Sequence, residues 1–261
     1  MNGMKGGVRR WSVHMGIRLL MGLYAVLYRT ASLVGPRKRL VEGGYEILLT
    51  GTFQSDNWIM SHLKPLAMSQ RCARLRIVSS VPIPPLEKLD VILPPSWLAR
   101  TLGRVPARLL TFMWVGIRTR PHAVGGFHLL FNGLTAALLS RLIGSRSVYF
   151  CVGGPVEVKD GGAFTENRLF GLLGSPDPVL ERRLIRSVAS FDLVVTMGSG
   201  TVRYFRECGV ETDCRVLSGG IDTRRFSPSG QKPTSDLILV ARLVPIKRID
   251  VFLRAIRLVK D

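Results

Sequence analysis

FDLVVTMGSGTVRYFRECGVETDCRVLSGGIDTRRFSPSGQKPTSDLILVARLVPIKRIDVFLRAIRLVKD, residues 191–261, is the stretch on which the fold turns. Phe191–Met197 is a short apolar run rich in β-branched residues, which predicts a buried strand. Ser199 and Gly200 end it. Ser199 is placed to cap a short helix over Thr201–Cys208, with Gly209 just past its end. Cys214–Leu217 reads as a second strand. Gly219, Gly220, Asp222, Phe226 and Pro228 follow, then the polar linker Ser229–Ser235. Leu237–Ala241 reads as a third strand. It feeds Arg242, Lys247 and a helix with Ile249, Phe252, Leu253 and Ile256 on one face. Strands alternating with helices at this spacing predict a parallel α/β sheet.

Two cations between the carboxyl end of a strand and the start of a helix make a place to hold phosphate. Open α/β sheets bind ligands outside the carboxyl ends of their strands, and the helix start adds N–H donors and a positive dipole end. Arg242 offers a two-nitrogen fork and Lys247 a compact charge. Such a clamp suits a departing diphosphate, on which negative charge grows as its bond breaks. The competing reading is that both are solvated loop charges.

In order, these pieces resemble the domain junction of GT-B glycosyltransferases, specifically the large retaining group (family 4-like, group 1) that builds bacterial glycans from nucleotide-activated sugars. Phe191–Gly209 looks like the last strand and helix of the amino-terminal domain. Gly219, Gly220, Ile221, Asp222, Phe226 and Pro228 look like the crossover segment. Leu237–Asp250 looks like the opening of the donor domain, with Ala241 where a glycine is usual. The resemblance implies that Arg242 and Lys247 bind the donor diphosphate. It also implies that the chain stops early in the donor domain, before the paired glutamates that bind donor sugar and ribose, and so is a fragment or a truncated product.

Composition is compatible with a folded protein of one or two domains: 261 residues, 46% hydrophobic and 21% charged. The net charge of +19 favours an anionic partner. It is mostly arginine and spread along the chain, and no zinc-finger, RNA-recognition or basic-zipper pattern is present, so a membrane surface or a phosphorylated molecule ranks above nucleic acid. Cys72, Cys151, Cys208 and Cys214 show no paired spacing, which suggests neither a metal site nor a disulfide framework. A reducing compartment fits. There is no GxGxxG, P-loop or GxSxG pattern.

Residues 1–44 are basic and apolar. The uncharged run between Arg18 and Arg29 is shorter than the ~20 residues of a spanning helix, and no small-residue cleavage site marks a signal peptide. His14, Arg18, Gly22, Ala25, Arg29 and Ser32 trace a polar stripe on an apolar helix. Two readings stand: a helix at the bilayer interface, with Arg37, Lys38 and Arg39 on anionic headgroups, or a helix packed on the protein's own core.

Tyr45–Thr50 predicts the first strand, with Gly51 and Thr52 in the loop after it; that loop faces the cleft in the resembled family, whereas a lone glycine there is commonly a simple turn. Asn57–Ala67 predicts a helix limited by Pro65 and Leu75–Ser79 a strand. The prolines at 82, 84, 85, 94 and 95 demand irregular backbone. Arg100, Arg104 and Arg108 step by four, which would put three guanidiniums on one face: a patch for an anionic lipid or lipid-diphosphate acceptor, or a solvated surface. Ala123–Phe127, Asn132–Ile143 and Ser147–Val152 form a strand–helix–strand unit. Gly153 and Gly154 follow, where the family often places a histidine, so no histidine role carries over; His122 and His128 read as ordinary polar residues. The glycines would allow close backbone approach to a substrate. Glu157 is the candidate catalytic carboxylate, able to bond a sugar hydroxyl or accept a proton, with a surface loop as the alternative.

These readings combine into an α/β GT-B chain: a basic amino-terminal segment (1–44), a complete Rossmann-like acceptor-side domain (45–228) and the start of a donor-binding domain (229–261). The expected function is transfer of a sugar from a nucleotide-sugar donor to a glycan or lipid-linked acceptor in cell-surface polysaccharide synthesis. The expected location is cytoplasmic, peripheral at the inner face of the cytoplasmic membrane. No cofactor, metal or nucleic acid is expected. A rival is a non-catalytic membrane-surface protein with a relict GT-B half; a GT-B sugar-nucleotide epimerase would need more catalytic carboxylates and a cleft histidine.

Overall fold

The computed structural model describes the chain except Met1, residues 37–42, Gln54, Asp222, Arg224, Arg225, Ser229, Gln231, Pro233, Arg242, residues 244–246 and Asp261; for residues 2–10 and Lys260 only the backbone course is described. The elements of the first unit, Met1–Ile221, are α1 (Asn2–Val34), β1 (Tyr45–Thr50), α2 (Asp56–Met68), β2 (Cys72–Val78), β3 (Leu89–Ile92), α3 (Ser96–Leu102), α4 (Arg104–Thr119), β4 (Ala123–Phe127), α5 (Leu134–Ile143), β5 (Arg146–Cys151), the helical turn α6 (Arg168–Gly171), α7 (Pro178–Val188), β6 (Leu193–Thr196), α8 (Ser199–Glu207) and β7 (Asp213–Val216). The second unit, Asp222–Asp261, holds α9 (Ile249–Lys260).

The fold is α/β, built on a Rossmann-like sheet of seven parallel strands in the order β3-β2-β1-β4-β5-β6-β7. Such a sheet must be covered on both faces, and alternation along the strands sorts the core accordingly. Leu49 on β1, with Val148 and Phe150 on β5, packs toward Ile59 and Leu63 of α2. Leu48 meets Phe112 and Val115 of α4 on the other face. Tyr149 and Cys151 share that other face with Leu134 of α5 and Leu180 and Leu184 of α7. Phe127, fully buried at the end of β4, stacks on Phe150 at 4.4 Å and meets Trp58 edge-on at 5.0 Å. Truncating such a ring costs about 3–5 kcal/mol.

α1 packs against α5 and α7, with the first half of its polar stripe, His14, Arg18 and Gly22, turned inward and Ala25, Arg29 and Ser32 exposed. His14 Nδ1 lies 2.7 Å from Asp177, and Arg18 donates through two nitrogens to the same carboxylate. Asp177 also caps α7, accepting from the amides of Val179 and Leu180. Burial alone would raise the Asp177 carboxyl; the hydrogen bonds from Arg18 and His14 outweigh it and hold the group down to about 2. Ile17 and Met21 are buried beside this cluster, while Trp11, Leu19, Leu23, Val26 and Leu27 are exposed. Of the two readings of this helix, the packing of His14, Arg18, Ile17 and Met21 matches a helix laid on the protein's own core, while its other side stays exposed. The length expectation is corrected. The helix runs unbroken through Arg18 and Arg29, so Trp11–Val34, 24 residues of mean hydropathy 1.3, is long and apolar enough to cross a bilayer. Core helices and signal sequences meet the same criterion. Arg37, Lys38 and Arg39 lie outside the described residues.

Other expectations shift for local reasons. The helix predicted over Thr201–Cys208 with Ser199 as its cap runs from Ser199 to Glu207, and Gly198 occupies the cap position. The wide turn Leu129–Gly133 delays α5 to Leu134. Gly103, at φ 86°, separates α3 from α4, so the arginine stripe is broken, and Arg108 points into the protein. β3 forms within the proline-rich region by pairing with β2 from Leu75 to Val78. In the second unit, Leu237–Ala241 has no regular structure and Leu237, Ile238 and Val240 are exposed. The strand predicted there lacks a partner among the described residues, and an isolated strand leaves its N–H and C=O groups unpaired.

Candidate functional site

Ligands of parallel sheets bind where neighbouring connections depart in opposite directions. Here that point lies between β1 and β4, since the chain leaves β1 toward β2 and β3 and returns on the other side. Gly51 and Thr52 follow β1, His128 follows β4, and Gly153 and Gly154 come just after β5, so the sequence-predicted loops of the first unit share one end of the sheet.

Glu157 organises this end. The turn Gly154–Glu157 carries it back over the sheet, where it is 5% exposed. Its carboxylate accepts from the amides of Leu129 at 2.7 Å and Gly153 at 2.6 Å and from the Tyr149 hydroxyl at 2.9 Å. His128 Nδ1 lies 3.1 Å from Oε1. Both oxygens are thus held, one of them within reach of His128. Gly153 is needed for this arrangement, since a Cβ there would lie 2.7 Å from Glu157 Oε1. The absence of a side chain at Gly153 thus makes room for the Glu157 carboxylate.

His128 has φ 65° and a side chain 44% exposed. The carboxylate fixes its Nδ1 as the donor, and Nε2 makes no hydrogen bond among the described residues. Burial would lower the imidazole, but the hydrogen bond and charge of Glu157, helped by Glu166, outweigh it and hold His128 above its ordinary value. A histidine so placed can orient a hydroxyl or take its proton.

Arg108 lies on the other side of the switch point, on the inner face of α4. It is 3% exposed. Nη2 donates to Asn132 Oδ1 at 2.8 Å, and Nη1 lies 3.3 Å from Ser80 Oγ and 3.4 Å from Thr52 Oγ1. Asn132 is fixed in turn by donating to the Phe127 carbonyl at 2.6 Å. Nε has no partner among the described residues. Burial, unrelieved by any carboxylate, lowers the guanidinium to about 10.

Gly219 and Gly220 lie against α2. Pro65 has no N–H to give to the Ser61 carbonyl, and that carbonyl accepts from Gly220 instead, at 2.9 Å. Gly219 faces the His62 ring, which stacks on Trp58 at 4.3 Å.

Lys247 is exposed in the second unit, two residues before α9. Arg242 lies outside the described residues. His122 serves the sheet, accepting from the Glu46 amide at 3.0 Å. Among the described residues no three His, Cys, Asp or Glu side chains converge as a metal site.

In the sequence His128 reads as an ordinary polar residue, Arg108 as part of a surface stripe and Asn132 only as the start of a helix. Arg108 carried a signal: with Thr111, Phe112 and Val115 it repeats at helical spacing, and those residues line the buried face. His128 had only its position directly after a strand.

No known family profile matches the sequence, and no curated protein matches it. Among solved structures it is similar to Glycyrrhiza uralensis UGT73P12, complexed with glycyrrhetinic acid 3-O-monoglucuronide. Identity is 12% and the TM-score 0.38, over 64% of this chain and 47% of that one. The chain spans about half the length of that structure.

Proposed function

We propose that this chain is the acceptor-side part of a GT-B glycosyltransferase, which moves a sugar from a nucleotide donor to a glycan or lipid-linked acceptor in polysaccharide synthesis at the membrane. The observation that carries the reading is the His128–Glu157 pair at the switch point of the sheet. It offers an imidazole nitrogen to a hydroxyl where parallel sheets bind ligands.

The retaining outcome, the domain division at residue 228 and the donor-phosphate roles of Arg242 and Lys247 come from the resemblance of residues 191–261. In a retaining transfer the departing diphosphate oxygen takes the acceptor proton, so His128 holds the acceptor oxygen while Arg242 and Lys247 receive the charge of the leaving group. No cofactor is invoked.

The test is incubation of the native gene product with UDP-, GDP- and dTDP-sugars, following nucleoside diphosphate release and the anomeric configuration of the product. One donor should be consumed, with configuration retained. Absence of binding and turnover with every donor sinks the reading.

The exposed apolar face of α1 favours a second, non-catalytic reading: a membrane-surface protein with a relict GT-B half. Vesicle binding without sugar-nucleotide binding would select it.

A further inference from the structure

We propose that the hollow at the carboxyl ends of β2 and β3 binds a phosphate group, met by Arg104 and the hydroxyls of Ser80 and Thr52, with Arg108 supplying charge from behind. This rests on the transfer reading only in naming the acceptor, which becomes a phosphate-bearing molecule.

The hollow measures about 160 Å³ and is lined by Ser80, Leu93, Pro94, Ala99 and Arg104. Arg104 is exposed, and its guanidinium makes no hydrogen bond among the described residues. One turn further along α4, Arg108 is buried among neutral acceptors. A buried charge is ordinarily paired, and here three neutral oxygens take the place of a carboxylate. By donating to Ser80 Oγ and Thr52 Oγ1, Nη1 engages a lone pair of each hydroxyl and turns their hydrogens away from the guanidinium. Ser80 spends its hydrogen on a long 3.4 Å contact with the Arg104 carbonyl; Thr52 is exposed, shares Arg108 Nη1 with Ser80, and its hydroxyl has no acceptor among the described residues. A hydroxyl that accepts from a cation is a stronger donor, and an anion is the acceptor that satisfies the set. The N–H of Arg108 at Nε, without a partner among the described residues, adds to the positive field.

Trp97, Leu102 and Val105 stand exposed beside the hollow, so a phosphate on an apolar tail fits as well as a free one. The shared chemistry is the phosphate group; the source is what the experiment separates.

Calorimetric titration with inorganic pyrophosphate, without sugar nucleotide, should show binding by the wild-type chain. Arg108→Met and Arg104→Gln should each weaken it about tenfold or more, as loss of a charged hydrogen-bond partner does. Arg104 is exposed, so its variant tests the site even if Arg108→Met fails to fold. Flotation with phosphatidic-acid vesicles, compared with phosphatidylcholine vesicles, separates the sources. Variant-sensitive flotation assigns a lipid phosphate, and variant-sensitive pyrophosphate binding without it assigns a soluble one. No binding of either probe, or binding that both variants leave unchanged, overturns the proposal. The result is independent of whether any sugar is transferred.

Discussion

Gly153 donates its N–H to Glu157 Oε1 at 2.6 Å, and the side chain that any other residue would bring there begins 2.7 Å from that oxygen. Four donors hold the carboxylate, so it cannot yield without breaking other bonds. Gly153→Ala should therefore cost on the order of 1–3 kcal/mol, the usual range for overpacking a filled site. The urea midpoint measures it. An unchanged midpoint would mean that the carboxylate slides aside freely.

His128 ties stability to pH. Its folded value lies above that of an unfolded histidine, about 6.5. The stabilisation is fully present below that value and is lost as pH rises through the raised folded value. Glu157→Gln should remove the alkaline-side loss and drop the imidazole below its ordinary value, since burial stays while the charge goes. Titration of the His128 ring proton by NMR reads both. A titration unmoved by Glu157→Gln would separate the pair.

Asp177 works in the opposite direction. Its folded value, about 2, lies below that of a free carboxyl. Its contribution is present above about pH 4 and is lost as pH falls from there toward 2. Hydrogen exchange along α1 should accelerate over that range, because protonation weakens the grip on Arg18 and His14. Asp177→Ala should do the same at neutral pH and also cost about 1 kcal/mol through the missing α7 cap. Exchange in α1 that ignores both changes would show that Ile17 and Met21 suffice to hold it.

The outward side of α1 should bind membranes. Leu19 and Leu23 are exposed, and burying each in acyl chains gains about 1.5–3 kcal/mol. Leu19→Glu with Leu23→Glu should abolish flotation with anionic vesicles while leaving the thermal midpoint in place, as neither residue is in the core. Flotation that survives the double change would move the membrane contact elsewhere.

How much of this was legible in the sequence depended on whether a residue's partner was close along the chain. The strands Tyr45–Thr50 and Ala123–Phe127 were read to their ends because turn residues bound them. Leu89–Ile92 was missed: four residues among prolines show no period, and pairing with β2 makes them a strand. Leu237–Ala241 had the composition of a strand and lacked the neighbour. Arg108 stepped evenly from Arg100 and Arg104, which suggested a common face, yet its partner Asn132 lies on a different element. Glu157 was singled out for its loop, but its meaning comes from His128, Leu129 and Tyr149, which only the closed sheet brings to it.

The switch between β1 and β4 also has a schedule. During synthesis β1 finds β2 soon, while its other neighbour emerges only after β2, β3, α3 and α4. What becomes the centre of the sheet is, for that interval, a raw edge whose free amides and carbonyls invite foreign strands. Ribosome-stalled chains ending before Ala123 should be protease-sensitive and prone to aggregate, and chains extended past Phe127 should not. The strand order that shapes the crevice thereby sets the moment at which the nascent protein becomes safe.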